Sequence, residues 1–145
     1  EAITPDGGLD RARLRSTVFS DPAAKRRLEG ILHPLIGREC ERQASAAGEV
    51  AMLVFDVPLL VESGHWRARV DRVLVVDCLE STQIDRVRAR SGWQPEMVRA
   101  VMAQQAPRGT RLAAADAVIF NDGLTLDELA MEVQSLWHAW GSPTG

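Results

Sequence analysis

Three short apolar runs recur along the chain without the polar alternation of a half-exposed strand. They are VAMLVFDVP (50–58), RVLVVDC (72–78) and DAVIFND (116–122). Such runs are typical of strands that are buried on both faces, as in a parallel sheet covered by helices. The pattern therefore predicts three buried parallel strands.

The remaining segments favour helices. Apolar residues follow helical spacing between 9 and 19, and a second helix is predicted to begin at Asp21 and Pro22, which suit its cap and first turn. His33 and Pro34 are expected to interrupt this helix, which then resumes until Gly48. Further helices are predicted at 81–92, 95–105, 108–116 and 125–140.

The last predicted helix has a clear start signal. Thr125 is followed three residues later by Glu128, which is the pattern of a capping box. The alternation of strands and helices predicts an α/β fold with a parallel sheet flanked by helices. Three strands are about half of such a sheet, and the sequence opens on Glu1 rather than methionine, so we expect the fold to be incomplete at its N-terminus.

Composition narrows the class of protein. A chain of 145 residues with 46% hydrophobic residues suits one domain with a real core. The net charge of −3 gives no attraction to nucleic acid or to an anionic membrane, and no apolar stretch reaches the length of a membrane span. Cys40 and Cys78 form no CxxC pair and no signal peptide is evident, which indicates a reducing cytoplasm.

Polar residues follow the predicted strands where ligands bind in open α/β sheets, beyond the carboxyl ends. Asp56, Asp77 and the Asn121–Asp122 pair occupy such positions. A carboxylate there can position magnesium through water or accept a hydrogen bond from a substrate hydroxyl. Pro58 must turn the chain, and the leucines after it offer apolar surface. A strand terminator followed by two core leucines is the alternative interpretation.

Five motifs occur in order along the chain: LHPLI (32–36), DVPLLVE (56–62), RVLVVD (72–77), TQIDRVRAR (82–90) and MAQQAPRGTRLAAADAVIFNDG (102–123). Together they resemble the dephospho-coenzyme A kinases of the P-loop kinase superfamily, from residue 1 to about 140. The resemblance implies transfer of the γ-phosphoryl group of ATP, with Mg²⁺, to the ribose 3′-hydroxyl of dephospho-coenzyme A. It also implies a helical substrate-binding region (9–48), a core (50–78 and 116–140) and a lid (80–115).

The phosphate-binding loop of that superfamily is absent from the sequence. No GxxxxGKS or GxxxxGKT occurs, Lys25 lies in AAKRRL, and the family's DAD-type aspartate motif is not found. Without the loop, no nest of backbone N–H groups can hold the β- and γ-phosphates. We therefore expect this sequence to be a fragment lacking roughly the first third of the enzyme, and to be inactive by itself.

The resemblance assigns the nucleotide contacts. Arg86 matches the arginine of a QxxR pattern and would stabilise charge on the transferring phosphoryl group. The other implied nucleotide-binding residues are Arg90, Gln105, Arg111, Asn121 and Gly123. A solvated arginine face and a plain NDG turn are the alternatives. Arg108 is doubtful as a contact, because QAPRG replaces a regular helix there.

The acceptor pocket would be formed by residues from two motifs: His33, Pro34, Asp56, Pro58, Leu59 and Leu60. No histidine–cysteine spacing indicates a metal site in the protein, so the magnesium brought with ATP is the sole ion expected.

Two rival functions stay open. Another P-loop small-molecule kinase would carry other lid and substrate motifs than HPLI and DVPLL, and a non-catalytic interaction module would keep the fold without the loop. A nucleic-acid binder is disfavoured by the acidic balance. An oligomeric state is not indicated by the sequence.

Overall fold

The computed structural model describes residues 2–141 and contains two compact units, Glu1–Phe55 and Asp56–Gly145. The first unit opens with a tight turn, in which Thr4 N donates to Gly8 O at 2.8 Å and Ile3 bridges Leu9 in antiparallel fashion. Gly7 adopts φ +84°, a conformation that glycine reaches without strain.

Two helices form the rest of this unit and pack together. Helix α1 spans Arg11–Ser20, and helix α2 spans Pro22–Ala46. The Asp21 carboxylate accepts a hydrogen bond from Ala23 N at 2.8 Å, and Pro22 lies in the first turn, as the sequence predicted.

The predicted interruption of the second helix is wrong. His33 and Pro34 lie inside α2, which is continuous through both. A proline removes one N–H donor, here the one that would pair with the Gly30 carbonyl, but leaves the rest of the hydrogen-bond ladder intact. A helix of 25 residues can tolerate that single loss.

The second unit contains a parallel pair of strands. In chain order it has α3 (Leu60–Ser63), a 3₁₀ turn (Arg67–Arg69), β1 (Leu74–Asp77), α4 (Glu80–Ser91), α5 (Pro95–Met102), α6 (Arg108–Ala113), β2 (Ala117–Phe120) and α7 (Leu126–Gly141). Leu74 pairs with Ala117 and Asp77 with Phe120. The α/β class with a parallel sheet flanked by helices is confirmed, as are the strands expected at 72–78 and 116–122.

The third expected strand is not formed. Residues 52–57 are neither helix nor strand, so the prediction for 50–58 is wrong in this structure. A strand exists only where its N–H and C=O groups pair with a neighbour, and no strand within residues 2–141 pairs with this segment. Asp56 therefore does not end a strand.

Burial of both strand faces is also not observed. Val76 is 61% exposed and Phe120 46% exposed, whereas Ile119 is 2% exposed. Within residues 2–141, each strand is hydrogen-bonded to one neighbouring strand. Part of the apolar surface of both strands therefore remains exposed. Trp66, Val73 and Val98 join Ile119 in the small buried core.

Asp116 fixes the start of the sheet. Its Oδ2 accepts a hydrogen bond from Val73 N at 2.7 Å and lies 3.4 Å from Arg67 Nη2. The residue therefore orients the beginning of both strands. Across residues 2–141, the structure has no helix long and apolar enough to cross a membrane.

Candidate functional site

The carboxyl ends of the two strands lie side by side. Asp77 ends β1 opposite Phe120, and Asn121 N donates to Asp77 O at 2.8 Å just beyond β2. The register therefore brings Asp77, Cys78 and Asn121 to one edge of the sheet. This is the edge at which open α/β proteins bind their ligands.

Asp77 is buried and held by an arginine. The residue is 5% exposed, and its carboxylate accepts hydrogen bonds from Arg108 Nε at 2.9 and 3.0 Å and from Arg108 Nη2. The Arg108 guanidinium lowers the pKa of Asp77 below its usual value, and Asp77 in turn raises the pKa of Arg108. Both oxygens of this carboxylate are therefore engaged by the arginine fork in this structure.

The turn before Arg108 is held at both backbone polar groups of one residue, Ala106. Glu62 Oε1 accepts a hydrogen bond from Ala106 N at 2.7 Å, and Arg111 Nη1 donates to Ala106 O at 2.6 Å. These contacts connect α3, which follows the DVPLL motif, with the loop between α5 and α6. They fix the backbone two residues before Arg108.

Asp122 ties the end of β2 to the start of α4. Its carboxylate accepts hydrogen bonds from Leu79 N at 2.7 Å and from Thr82 Oγ1 at 3.0 Å. Leu79 is the N-cap position of α4 and offers no capping side chain, so Asp122 takes over that role from another element. The carboxylate of Asp122 is thus hydrogen-bonded to the start of α4, just as that of Asp77 is hydrogen-bonded to Arg108.

Arg86 projects from α4 with its charge close to the sheet edge. Burial raises the pKa of the Cys78 thiol, and the positive charge of Arg86 acts in the opposite direction on the same thiol. Arg88 instead pairs with Asp85 at 3.6 Å, so it lies on another face of α4. Arg90 lies one turn beyond Arg86 and is exposed.

The other implied nucleotide contacts lie in the same unit. Gln105 is half-buried in the turn after α5, and Arg111 is half-buried in α6. Asn121 follows β2 directly, and Gly123 has φ +77°, a conformation that side chains rarely adopt. Residues 122 and 123 form a bend after the strand.

The implied acceptor residues are divided between the two units. Asp56, Pro58, Leu59 and Leu60 belong to the second unit, where the chain turns at Pro58 and α3 begins at Leu60. His33 and Pro34 belong to α2 of the first unit. Within residues 2–141, no group of three or more histidine, cysteine, aspartate or glutamate side chains could hold a metal ion.

Sequence reasoning missed the residues that hold this edge together: Glu62, Asp77 in its pairing with Arg108, and Asp122. Their partners lie 31 to 44 residues away, so local patterns carry no sign of the pairing. A signal did exist for Asp122. An acid just beyond a strand, and a helix that starts with no capping side chain, together indicate a cap supplied from elsewhere.

The fold and this edge define an α/β protein of the P-loop kinase type, with arginines from two helices around the end of a parallel strand. A family model described as "CoaE: Dephospho-CoA kinase" matches residues 1–127. The chain belongs to this family.

Individual relatives agree with that assignment. The chain is 60% identical over 134 residues to the dephospho-CoA kinase of Burkholderia thailandensis, covering 92% of this chain and 66% of the relative. It is 55% identical over 141 residues to that of Bordetella parapertussis, covering 97% and 65%. The chain thus spans slightly less than two thirds of the length of these relatives.

Two solved structures have a similar fold. The protein TT1252 from Thermus thermophilus is 32% identical and superposes with a TM-score of 0.79, covering 99% of this chain and 72% of its own. The dephospho-CoA kinase from Campylobacter jejuni gives a TM-score of 0.65, at 23% identity and with coverage of 97% and 70%.

Proposed function

We propose that this chain contributes to ATP-dependent phosphorylation of the ribose 3′-hydroxyl of dephospho-coenzyme A, the last step of coenzyme A synthesis. The observation that carries the proposal is the grouping of Arg86, Arg108 and Arg111 around the carboxyl end of β1, in a chain of this family. Phosphoryl transfer needs little covalent chemistry from a protein. It needs alignment and neutralisation of the charge on the equatorial oxygens.

Arg86 is the residue that we propose stabilises charge on the transferring group. It is exposed, and in the described part of the chain it has no hydrogen bond or ion pair with another side chain, so its guanidinium is available to a phosphate. Arg90 follows on the same face of α4. We assign the other nucleotide contacts to Gln105, Arg111, Asn121 and Gly123; Arg111 has donors left besides the one directed to Ala106 O.

Magnesium enters this scheme as part of the substrate, bound to ATP. The carboxylates of Asp77 and Asp122 are already engaged by Arg108 and by the start of α4. They are therefore poor candidates for a resident ion, and the metal would be held by the phosphates of the nucleotide. We propose no metal ligand from this chain.

The acceptor is proposed to contact the helical region 9–48 through His33 and Pro34, and the turn at Asp56, Pro58, Leu59 and Leu60. The segment 80–115 is proposed as the lid. Two free cysteines suit a reducing cytoplasm, where we place the reaction. We propose ATP and dephospho-coenzyme A as partners, and neither nucleic acid nor membrane.

A chimera tests the proposal. The matched region of the Burkholderia thailandensis kinase is replaced by this chain, so that the relative supplies the remaining third of its length. We expect ATP-dependent phosphorylation of dephospho-coenzyme A and little of AMP, measured by product formation with each acceptor. Preference for AMP would support a different small-molecule kinase. Absence of turnover in a folded chimera that binds ATP would contradict the proposal.

Arg86→Gln in the same chimera tests the catalytic assignment. Loss of a charge that acts mainly in the transition state should lower kcat by about 100-fold or more, with a smaller change in KM. Arg88→Gln is the matched control, because Arg88 pairs with Asp85 on another face of α4. Equal losses in the two variants would remove the special role of Arg86.

A further inference from the structure

Arg108 is a partly exposed cation that is paired with the buried carboxylate of Asp77. Its side chain is 42% exposed, whereas that of Asp77 is 3% exposed. Nε and Nη2 both donate to the Asp77 carboxylate, and in the described part of the chain Nη1 has no partner. The fork therefore fixes the plane of the guanidinium and leaves one edge of it open.

The backbone that carries Arg108 is fixed independently of that fork. Glu62 and Arg111 hold the two polar atoms of Ala106, two residues before Arg108, at 2.7 and 2.6 Å. The backbone and the guanidinium are thus restrained by different contacts. This combination leaves a long and flexible side chain little freedom, which reduces the entropy lost when it binds a ligand.

Charged groups of both signs act on this edge of the sheet. The charged groups whose fields reach the Asp77–Arg108–Cys78 edge are Arg86 from α4, Arg111 from α6, Asp122 beyond β2 and Glu80 at the start of α4. Asp122 is engaged by Leu79 N and Thr82. A buried ion pair is weak evidence of a stabilising role, since apolar residues can stabilise a core equally well. Arg111 acts on Asp77 and Arg86 on Cys78, so the open edge of Arg108 lies at a strand end that two further arginines also reach, and this suits a phosphate ligand.

We propose that Asp77 is a positioning residue that orients Arg108, and that Arg108 presents its free Nη1 group to a phosphoryl group at the carboxyl end of β1. The inference rests on the proposed function for its class of ligand. It adds a phosphate-contacting arginine at the start of α6, where the sequence made such a contact doubtful, and a buried carboxylate that acts through this arginine.

The inference is tested by whether one substitution raises or lowers the affinity for a phosphate ligand. Affinity of the 145-residue chain for inorganic tripolyphosphate is measured by titration calorimetry at low salt. Asp77→Asn removes a negative charge, so simple electrostatics predicts tighter binding of the anion. Positioning predicts weaker binding, by roughly tenfold, because the Arg108 fork is lost.

Glu80→Gln is the matched control. Glu80 is exposed and its charge reaches Arg108, but it makes no hydrogen bond to that residue in the described structure. Its neutralisation changes the net charge by the same amount and should leave tripolyphosphate affinity unchanged or raise it by about twofold. Opposite signs for the two substitutions would support positioning. Tighter binding in both would overturn it.

A double-substitution cycle shows whether Asp77 acts through Arg108. Arg108→Gln should weaken binding, and Asp77→Asn should have no further effect in the Arg108→Gln background. Additive losses would overturn the inference, and so would a wild-type chain that does not bind tripolyphosphate.

Folding is checked by circular dichroism for each variant. If Asp77→Asn does not fold, Arg108→Lys decides the question, since it keeps the charge at an exposed position but cannot form the fork. Weaker tripolyphosphate binding by Arg108→Lys supports the inference, and unchanged binding overturns it. Failure of the proposed function is distinguishable, because it would appear as lost turnover in the chimera while these affinities keep their pattern.

Discussion

At the scale of single residues, the Asp77 carboxylate shows how burial and charge combine. The side chain is almost fully buried, yet it remains ionised because Arg108 supplies both hydrogen bonds and a positive charge. Removing one partner of such a pair leaves the other without its hydrogen-bond partner and its opposite charge. Asp77 should therefore contribute to stability as well as to the orientation of Arg108.

This contribution depends on pH in a defined direction. The pKa of Asp77 is lowered on folding, so the stabilisation is complete above the ordinary aspartate value of 3.8 and is lost as pH falls through the lower folded pKa. Asp77→Asn should lower the free energy of unfolding by about 1–2 kcal/mol near neutral pH. Urea denaturation of both proteins should show this difference shrinking once the pH falls below the ordinary value. A difference that grows on acidification would contradict the assignment.

At the scale of elements, the start of α4 depends on a residue from another element. Asp122 accepts the Leu79 N–H and the Thr82 hydroxyl, so the end of β2 sets the start of the helix that carries Arg86. Helix α7, in contrast, carries its own cap. Thr125 and Glu128 exchange hydrogen bonds at 2.8 and 3.2 Å in the predicted capping box.

Asp122→Ala should destabilise the chain by about 1–2 kcal/mol, because the Leu79 N–H and the Thr82 hydroxyl lose their acceptor. The free energy of unfolding in urea is the measurement. Asp85→Ala is the control; it removes an exposed carboxylate paired with Arg88 in the same helix and should change stability by less than about 0.5 kcal/mol. Equal effects of the two substitutions would show that Asp122 does not cap α4.

These elements also show what a sequence can predict. The cap at Asp21, the capping box at Thr125 and the strands β1 and β2 depend on residues close in sequence, and each was predicted. The strand expected at 50–58 was wrong because a strand needs a neighbour, which local apolarity does not supply. The break predicted at Pro34 was wrong because the rule that proline ends a helix considers only the residue itself. It does not consider the stability of the helical turns before and after it.

The residues of the candidate site were likewise predictable only where the signal is local in sequence. Arg86 could be proposed from a motif and Gly123 from turn chemistry, since both signals are local. The fork between Asp77 and Arg108 spans 31 residues, and the contact of Glu62 with Ala106 spans 44. Such pairs depend on how the elements pack, so neither could be predicted from spacing or composition.

At the scale of the whole molecule, the sequence contains the arginines that we propose for phosphate binding but no phosphate-binding loop. No GxxxxGKS or GxxxxGKT occurs in its 145 residues. Such loops hold the β- and γ-phosphates through successive backbone N–H groups, which arginine side chains do not replace.

We therefore expect the purified 145-residue chain to show little or no transfer from ATP to dephospho-coenzyme A. The assay is product formation under the conditions in which the chimera turns over, with the Burkholderia thailandensis kinase as a positive control. A rate near that of the intact relative would show that the loop is dispensable.

The proline inside α2 has a mechanical consequence. Because Pro34 has no N–H, the Gly30 carbonyl lacks its intrahelical donor, and the long helix is weakest in the turn between these residues. Glycines at positions 30 and 37 lie on either side and add backbone freedom there. Any bending of this 25-residue helix would therefore be concentrated in the turn around Pro34. The helical segments before and after that turn would move as rigid bodies.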